Sequence, residues 1–287
     1  MRYNIAAVEP VNCGFGHFLD DSCRYLCYGL ESLGHDCTIG FNQIESGCMN
    51  IIVGGHNLSS PADVDAIADS GDYILIQSEI LHEDRINTAQ NDERYKHVYL
   101  PLMQRAHSIW EGTHRNIPAL DKLGLRHQFL LGGYQPQMEE VKHKKNKDID
   151  FLFYGSVTPH RQHMLNALDA KDHRMAVVFD VRATFRNDLI ARSHLNACPR
   201  QGGGMNHFPW GRICYLLNNR SLPVVESCED QEWLEHCFPW SDSKRWVNLC
   251  ENTLQRPDRD EFAEQCFDRF RAMPFKNQLQ KVLDEMG

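Results

Sequence analysis

The stretch Asp150-Phe151-Leu152-Phe153-Tyr154-Gly155-Ser156, followed by Thr158-Pro159-His160-Arg161, decides the reading of this chain. Four apolar residues after an aspartate predict a strand buried on both faces, as in a parallel sheet. Gly155 permits the tight turn that follows, and Pro159 suits the first position of a helix. A turn from a parallel strand into a helix presents unpaired N–H groups and a positive dipole end, which together attract phosphate. Arg161, in the first helical turn, adds a fork of donors, and Ser156 adds a hydroxyl and a backbone N–H. An ordinary strand-to-helix connection has the same pattern, so the phosphate reading needs a second element.

That element runs from Arg192 to Glu226, within ARSHLNACPRQGGGMNHFPWGRICYLLNNRSLPVVES (Ala191 to Ser227). Ser193 to Cys198 predicts a short strand, and Gly202-Gly203-Gly204 a loop. Arg212 to Asn218 predicts a helix with Ile213, Leu216 and Leu217 on its buried side. Asn219 and Arg220 fall where that helix ends, and Leu222 to Val225 forms another buried strand.

With these pieces in order, the chain resembles the sugar-nucleotide-dependent glycosyltransferases of the GT-B type, and within them a bacterial and viral "family 1 glycosyltransferase"-like group. The resemblance also rests on Asn12-Cys13-Gly14-Phe15-Gly16-His17, on IIVGGH (Ile51 to His56), on YILIQSE (Tyr73 to Glu79) and on SIWEGTHRNI (Ser108 to Ile117). It implies an α/β chain of two facing Rossmann-like domains, with the last helix crossing back to the first domain. The expected division is an acceptor-side domain over residues 1–135, a linker over 136–149, a nucleotide-sugar-binding domain over 150–270 and a returning helix over 271–287. The chain departs from the group at one point. Many retaining members carry two glutamates seven residues apart around the second helix, the later one holding the donor ribose. Here no acidic residue lies between Arg212 and Val225, so Glu226 or another group takes the ribose, or the donor sits differently.

The local pattern agrees with that architecture. Asn4 to Val8, Asp36 to Gly40, Ile51 to Val53, Ile74 to Gln77, Ser108 to Trp110 and Gln128 to Leu131 read as strands. Leu19, Cys23, Leu26, Cys27 and Leu30 recur at helical spacing before Gly34. Such alternation implies right-handed βαβ units. The basic run Lys142-His143-Lys144-Lys145-Asn146-Lys147 reads as a solvated linker, with contact to a polyanionic acceptor as its functional reading. Residues 232–287 read as helix-rich.

Composition narrows the function. With 287 residues, 42% of them hydrophobic, the chain can bury one large or two medium cores. A net charge of −9 gives no general attraction to nucleic acid or anionic membrane. No apolar run reaches the ~20 residues of a membrane helix, and the N-terminus lacks a signal-peptide core, which points to a cytoplasmic protein. Eleven cysteines without a Cys-x-x-Cys pair read as reduced structural thiols, and the fifteen histidines show no zinc spacing.

The bond-breaking step leaves charge on a diphosphate, which must be neutralised. Gly155, Ser156, Arg161 and Arg212 are the candidates for that diphosphate. Asn206, His207, Trp210 and Glu226 are the candidates for donor sugar and nucleoside, with Phe179, Phe185 and Phe208 as stacking surfaces. Arginines and a helix N-terminus can do this without a metal, and the chain lacks an Asp-x-Asp cluster, so neither a metal nor a cofactor beyond the nucleoside-diphosphate sugar co-substrate is expected. On the acceptor side, Gly14 and Gly16 let the backbone approach a ligand, and His56 sits on the same rim. If the enzyme inverts, His17 is the first candidate base and Glu79 the second. The expected acceptor is a hydroxyl of a small molecule, glycan or peptide. A hydroxymethylated base of viral DNA is the alternative acceptor, and a non-catalytic nucleotide-sugar-binding module the third reading.

Overall fold

The computed structural model describes residues 1–10, 19–82, 85–87 and 93–286. They fall into two compact units, the first formed by Met1–Leu131 with Phe275–Gly287, the second by Gly132–Pro274.

The first unit carries strands β1 (Arg2–Ala7), β2 (Asp36–Phe41), β3 (Met49–Val53), β4 (Tyr73–Gln77), β5 (Ser108–Glu111) and β6 (His127–Phe129), with helices α1 (Asp20–Ser32), α2 (Pro61–Asp69), α3 (Leu100–Arg105) and α4 (Ile117–Lys122) between them. All neighbours pair in parallel, in the order β2-β1-β3-β4-β5-β6. Strand β4 is buried along its whole length, as its unbroken apolar run demands. The core gathers Ile52, Tyr73, Leu75, Leu102, Ile109 and Leu120. A helix late in the chain completes this unit: Phe275 lies against Gly29 of α1, where an added Cβ would come within 2.6 Å of the phenyl ring.

The second unit carries β7 (Ile149–Tyr154), α5 (Pro159–Asp169), β8 (Met175–Val178), α6 (Ala183–Arg192), β9 (Ser193–Cys198), α7 (Trp210–Asn218), β10 (Pro223–Glu226), β11 (Trp240–Ser241), α8 (Ser243–Leu254) and α9 (Arg259–Arg271). The order is β11-β10-β9-β7-β8, again parallel throughout. Phe151, Phe153, Leu195, Val224 and Trp246 form its core. The helix completing the first unit is α10 (Phe275–Met286).

Both sheets reverse their winding beside their first strand, between β1 and β3 and between β7 and β9. In open α/β sheets that switch point, at the carboxyl ends of the strands, is where ligands bind.

The basic run expected to be a free linker is laid on the second unit instead. Asn219, at the end of α7, accepts at its Oδ1 from the N–H groups of Glu140 (2.7 Å) and Val141 (2.8 Å), and Lys144 N donates to Ala191 O. A side-chain amide that satisfies two consecutive backbone donors pins the segment more firmly than its composition suggests. The ten described cysteines are free thiols. Among the described residues no helix is long and apolar enough to cross a membrane.

Candidate functional site

The switch point of the second sheet is built from the ends of β7, β9 and β10. Gly155 follows β7 with φ +141°, a backbone conformation that L side chains rarely adopt. A Cβ placed there would lie inside the guanidinium of Arg212, 3.0 Å from its Cζ. Arg212 therefore lies flat on the glycine backbone, its Cζ 5.3 Å from the Phe153 ring centroid and 5.5 Å from that of Tyr154. Its Nη1 is buried and has no hydrogen-bond partner. An unpaired buried donor on a cation is costly unless a ligand completes it.

Arg161 bonds to the protein as well as standing beside Arg212. Only 3% exposed, it donates from Nε to Pro199 O (3.2 Å) and from Nη1 to Ser156 O (3.0 Å) and Ser156 Oγ (3.3 Å). It ties the loop after β7 to the loop after β9. Burial first, and then the neighbouring Arg212 cation, pull its pKa down to about 9. Two guanidiniums held this close repel each other, and a diphosphate is the natural counter-ion. The α5 N-terminus is partly satisfied by the protein: Thr158 Oγ1 accepts from Arg161 N and donates to Gln201 O.

Glu226, at the end of β10, is fully buried. Its oxygens sit 2.9 Å from His160 Nε2, accept from Arg200 N (3.0 Å) and Ser243 Oγ (2.5 Å), and pair with Arg200 Nε at 3.1 Å. Both Glu226 oxygens are thus engaged by protein groups, which hold His160, Arg200 and Ser243 together. Neither His160 nor Arg200 is marked by a motif: His160 adjoins Arg161 in the first turn of α5, and the only signal for Arg200 is a cation just past the end of β9. Gly202 (φ +74°) packs its backbone on His160, where a Cβ would meet the His160 Cβ at 2.6 Å. Asn206 Oδ1 is buried without a partner, whereas His207 bridges Glu229 along the backbone. Trp210 opens α7 and packs against Gly132. Of the stacking candidates, Phe208 is core, stacked on Phe238 at 5.6 Å, while Phe179 and Phe185 are exposed.

The geometry makes a sharp test of the glycine. Gly155→Ala should displace the Arg212 guanidinium and lower stability by about 1–3 kcal/mol through backbone strain. A thermal melt measures the loss, and an unchanged melting temperature would show that the close approach of Arg212 to Gly155 is relieved without cost.

At the switch point of the first sheet, β3 runs into Gly54 (φ +78°) and Gly55. A Cβ on Gly54 would strike Val8 O at 2.9 Å, and one on Gly55 would strike Leu102 at 2.7 Å. This tight passage delivers His56 to the rim, and Asn57 Nδ2 fastens it by donating to Val8 O. His56 Nε2 stands 3.4 Å from Glu79 Oε1, so two candidates chosen separately from sequence form one pair. Glu79 is held in turn by Ser78 Oγ, Asn87 Nδ2 and, through its carbonyl, Asn116 Nδ2. Burial outweighs the raising pull of Glu79 and holds the His56 pKa below its usual 6.5, with Arg94 acting in the same direction as burial. Gln77 Nε2 is buried beside this pair without a partner. A cavity of about 410 Å³ in the same unit, reached by Asn57 but not by His56 or Glu79, is lined by Val8, Glu9, Asn42, Asn57, Asp63 and Ile67 among others, with no lysine or arginine among its described lining residues. Gly14, Gly16 and His17 lie outside the described residues.

No protein-family model matches the chain, and no curated protein matches it. Solved structures do. An α-glucosyltransferase in complex with UDP and a 13-mer DNA containing a central A:G mismatch matches at TM-score 0.63 and 10% identity, over 100% of this chain and 99% of that one. T4 phage BGT in complex with UDP and Mn2+ matches at TM-score 0.60 and 11% identity, over 100% and 99%. AviGT4, a glycosyltransferase involved in avilamycin A biosynthesis, matches at TM-score 0.58 and 11% identity, over 99% and 96%. The chain has the α/β GT-B fold.

Proposed function

We propose that the protein is a glycosyltransferase that moves a sugar from a nucleoside-diphosphate sugar, UDP-linked as in the similar structures, to a hydroxyl acceptor. The observation that carries this reading is Arg212: a guanidinium laid on a glycine at the sheet's switch point, with a buried unpaired donor and a second guanidinium beside it. Such a site suits the charge that builds on a departing diphosphate.

In the proposed reaction the acceptor oxygen attacks the anomeric carbon as the bond to the diphosphate oxygen breaks. The electron pair leaves with the diphosphate, where Arg212 meets it. His56 takes the acceptor proton, and Glu79 orients the imidazole and stabilises its charged form. A base so paired is what an inverting displacement needs. The partly acidic cavity of the same unit, without lysine or arginine among its described lining residues, favours a neutral hydroxylated acceptor over phosphodiester. The second reading, a hydroxymethylated base in DNA, draws on the whole-length match to a phage DNA-modifying β-glucosyltransferase. The two arginines also favour a metal-independent step.

The test is transfer from radiolabelled UDP-sugars to mixed glycans and to hydroxymethylated DNA, each with and without EDTA. Label in glycans that survives EDTA is expected. Label in DNA alone would promote the second reading, and label in neither would overturn the first. His56→Ala should lower kcat about 10²–10⁴-fold with the donor KM little changed. Because the neutral imidazole is the working form, activity should fall with decreasing pH only below about 6.5. Glu79→Gln removes the group that raises the His56 pKa and should move that limb further to acid. A pH profile of kcat/KM left unmoved by Glu79→Gln would detach the carboxylate from the base.

A further inference from the structure

The opposite edge of the second sheet carries a separate cluster. Lys147 leads into β7, His194 stands second in β9, and Ser221-Leu222 lead into β10, so all mark the strands' N-terminal ends. A six-residue strand is roughly 20 Å long, which sets this edge well apart from Arg212. Here lies a cavity of about 520 Å³, lined by five lysines and arginines against two carboxylates. In a chain of net charge −9 that is a local reversal of sign.

The cluster is constructed rather than loosely solvated. Arg259, the first residue of α9, is fixed by donating from Nη1 to Leu254 O at 2.7 Å. Its Nη2 reaches His194 Nδ1 at 2.9 Å. Arginine has no acceptor, so His194 Nδ1 accepts, and the imidazole is held neutral with its proton on Nε2. The two carboxylates leave the cavity with an excess of positive charge: Glu264 is paired with Arg220 at 2.8 Å, and Asp260, its side chain 96% exposed, stands 3.7 Å from Arg259 Nε. Lys144, Arg220 and Arg259 have carboxylate partners in Asp188, Glu264 and Asp260, whereas Lys145 and Lys147 form no ion pair among the described residues. Burial holds the Lys147 pKa below the usual lysine value against the raising pull of Asp260, with Arg259 acting in the same direction as burial. A partly buried ammonium without an ion-pair partner favours an anion beside it.

The geometry points to a second anion site in this cavity, one that takes a small ligand bearing a phosphate or diphosphate group on Lys147, Arg259 and Lys145, apart from the sugar-donor site. The volume falls in the range of small-molecule pockets, and several converging cations match a multiply charged group better than a carboxylate.

Titration calorimetry with inorganic pyrophosphate, at constant ionic strength, tests this. Arg212→Ala, which empties the switch point, should keep one saturable binding event. Adding Lys147→Gln to that background should weaken the event at least tenfold, and adding the exposed Lys145→Ala instead should weaken it severalfold, with circular dichroism unchanged in each. Loss of all pyrophosphate binding in Arg212→Ala alone would overturn the site. So would undiminished binding in the Arg212→Ala, Lys147→Gln double variant, or equal heat from sodium chloride.

Discussion

Arg212→Ala should abolish most of the UDP-induced rise in melting temperature and lower kcat/KM by about 10²–10³-fold, the loss typical of removing one preorganised donor from a developing anion. The folded state should lose little, because the buried Nη1 has no protein partner to leave behind. Arg212→Lys should recover only part of the activity. An ammonium cannot spread across the Gly155 backbone and the Phe153 and Tyr154 rings as a planar guanidinium does. Differential scanning fluorimetry with and without UDP, beside steady-state kinetics, measures both effects. An equal thermal shift in Arg212→Ala would remove the residue from the donor site.

Glu226→Ala should be the most destabilising change in the second unit, by about 3–5 kcal/mol, since it leaves Arg200 and His160 beside a buried gap with no carboxylate. That corresponds to a fall in melting temperature on the order of 10 °C. Glu226→Gln keeps the shape and some hydrogen bonds, so it should cost less stability while still misplacing His160 and Arg200. Denaturant melts rank the two variants, and UDP titration of Glu226→Gln at a temperature where it is folded isolates the positioning effect. A Glu226→Ala protein with wild-type stability would show that the cluster is incidental.

Much of the fold was legible in the chain because buried parallel strands leave unbroken apolar runs. FLFY at 151–154 and YILI at 73–76 could hardly be anything else, and Ser193–Cys198 came out with its observed ends. Helix α2 was missed although Ser60 and Asp63 form a reciprocal capping box, a signal lying in plain sight. Edge strand β8 is short and half-exposed, so it carries no apolar run to read. In the candidate site, the position of Arg212 beside Gly155 was legible in part, because Arg212 follows a glycine-rich loop and lies in the first turn of a helix. The bonds of Arg161 to Pro199 O and Ser156 O were not, because sequence shows that an arginine is near a turn but not which carbonyls it meets. The pairing of His56 with Glu79 joins residues 23 positions apart, and the Glu226 cluster joins two strand ends and two helix starts. Such meetings follow from sheet order, which spacing along the chain does not encode.

The placement of α10 has a consequence for how the protein is made. Phe275 packs on Tyr25 at 4.4 Å between ring centroids, and Arg126 donates to the carbonyl of Glu285, so a helix translated late finishes a unit begun at residue 1. During synthesis the second unit, contiguous from Gly132 to Pro274, has all its parts before the first does. The nascent first unit waits with the Gly29 face of α1 uncovered. A nascent chain with Pro274 emerged and α10 still inside the ribosome would hold one unit with all its parts and one whose apolar helix face is open to chaperones and to aggregation.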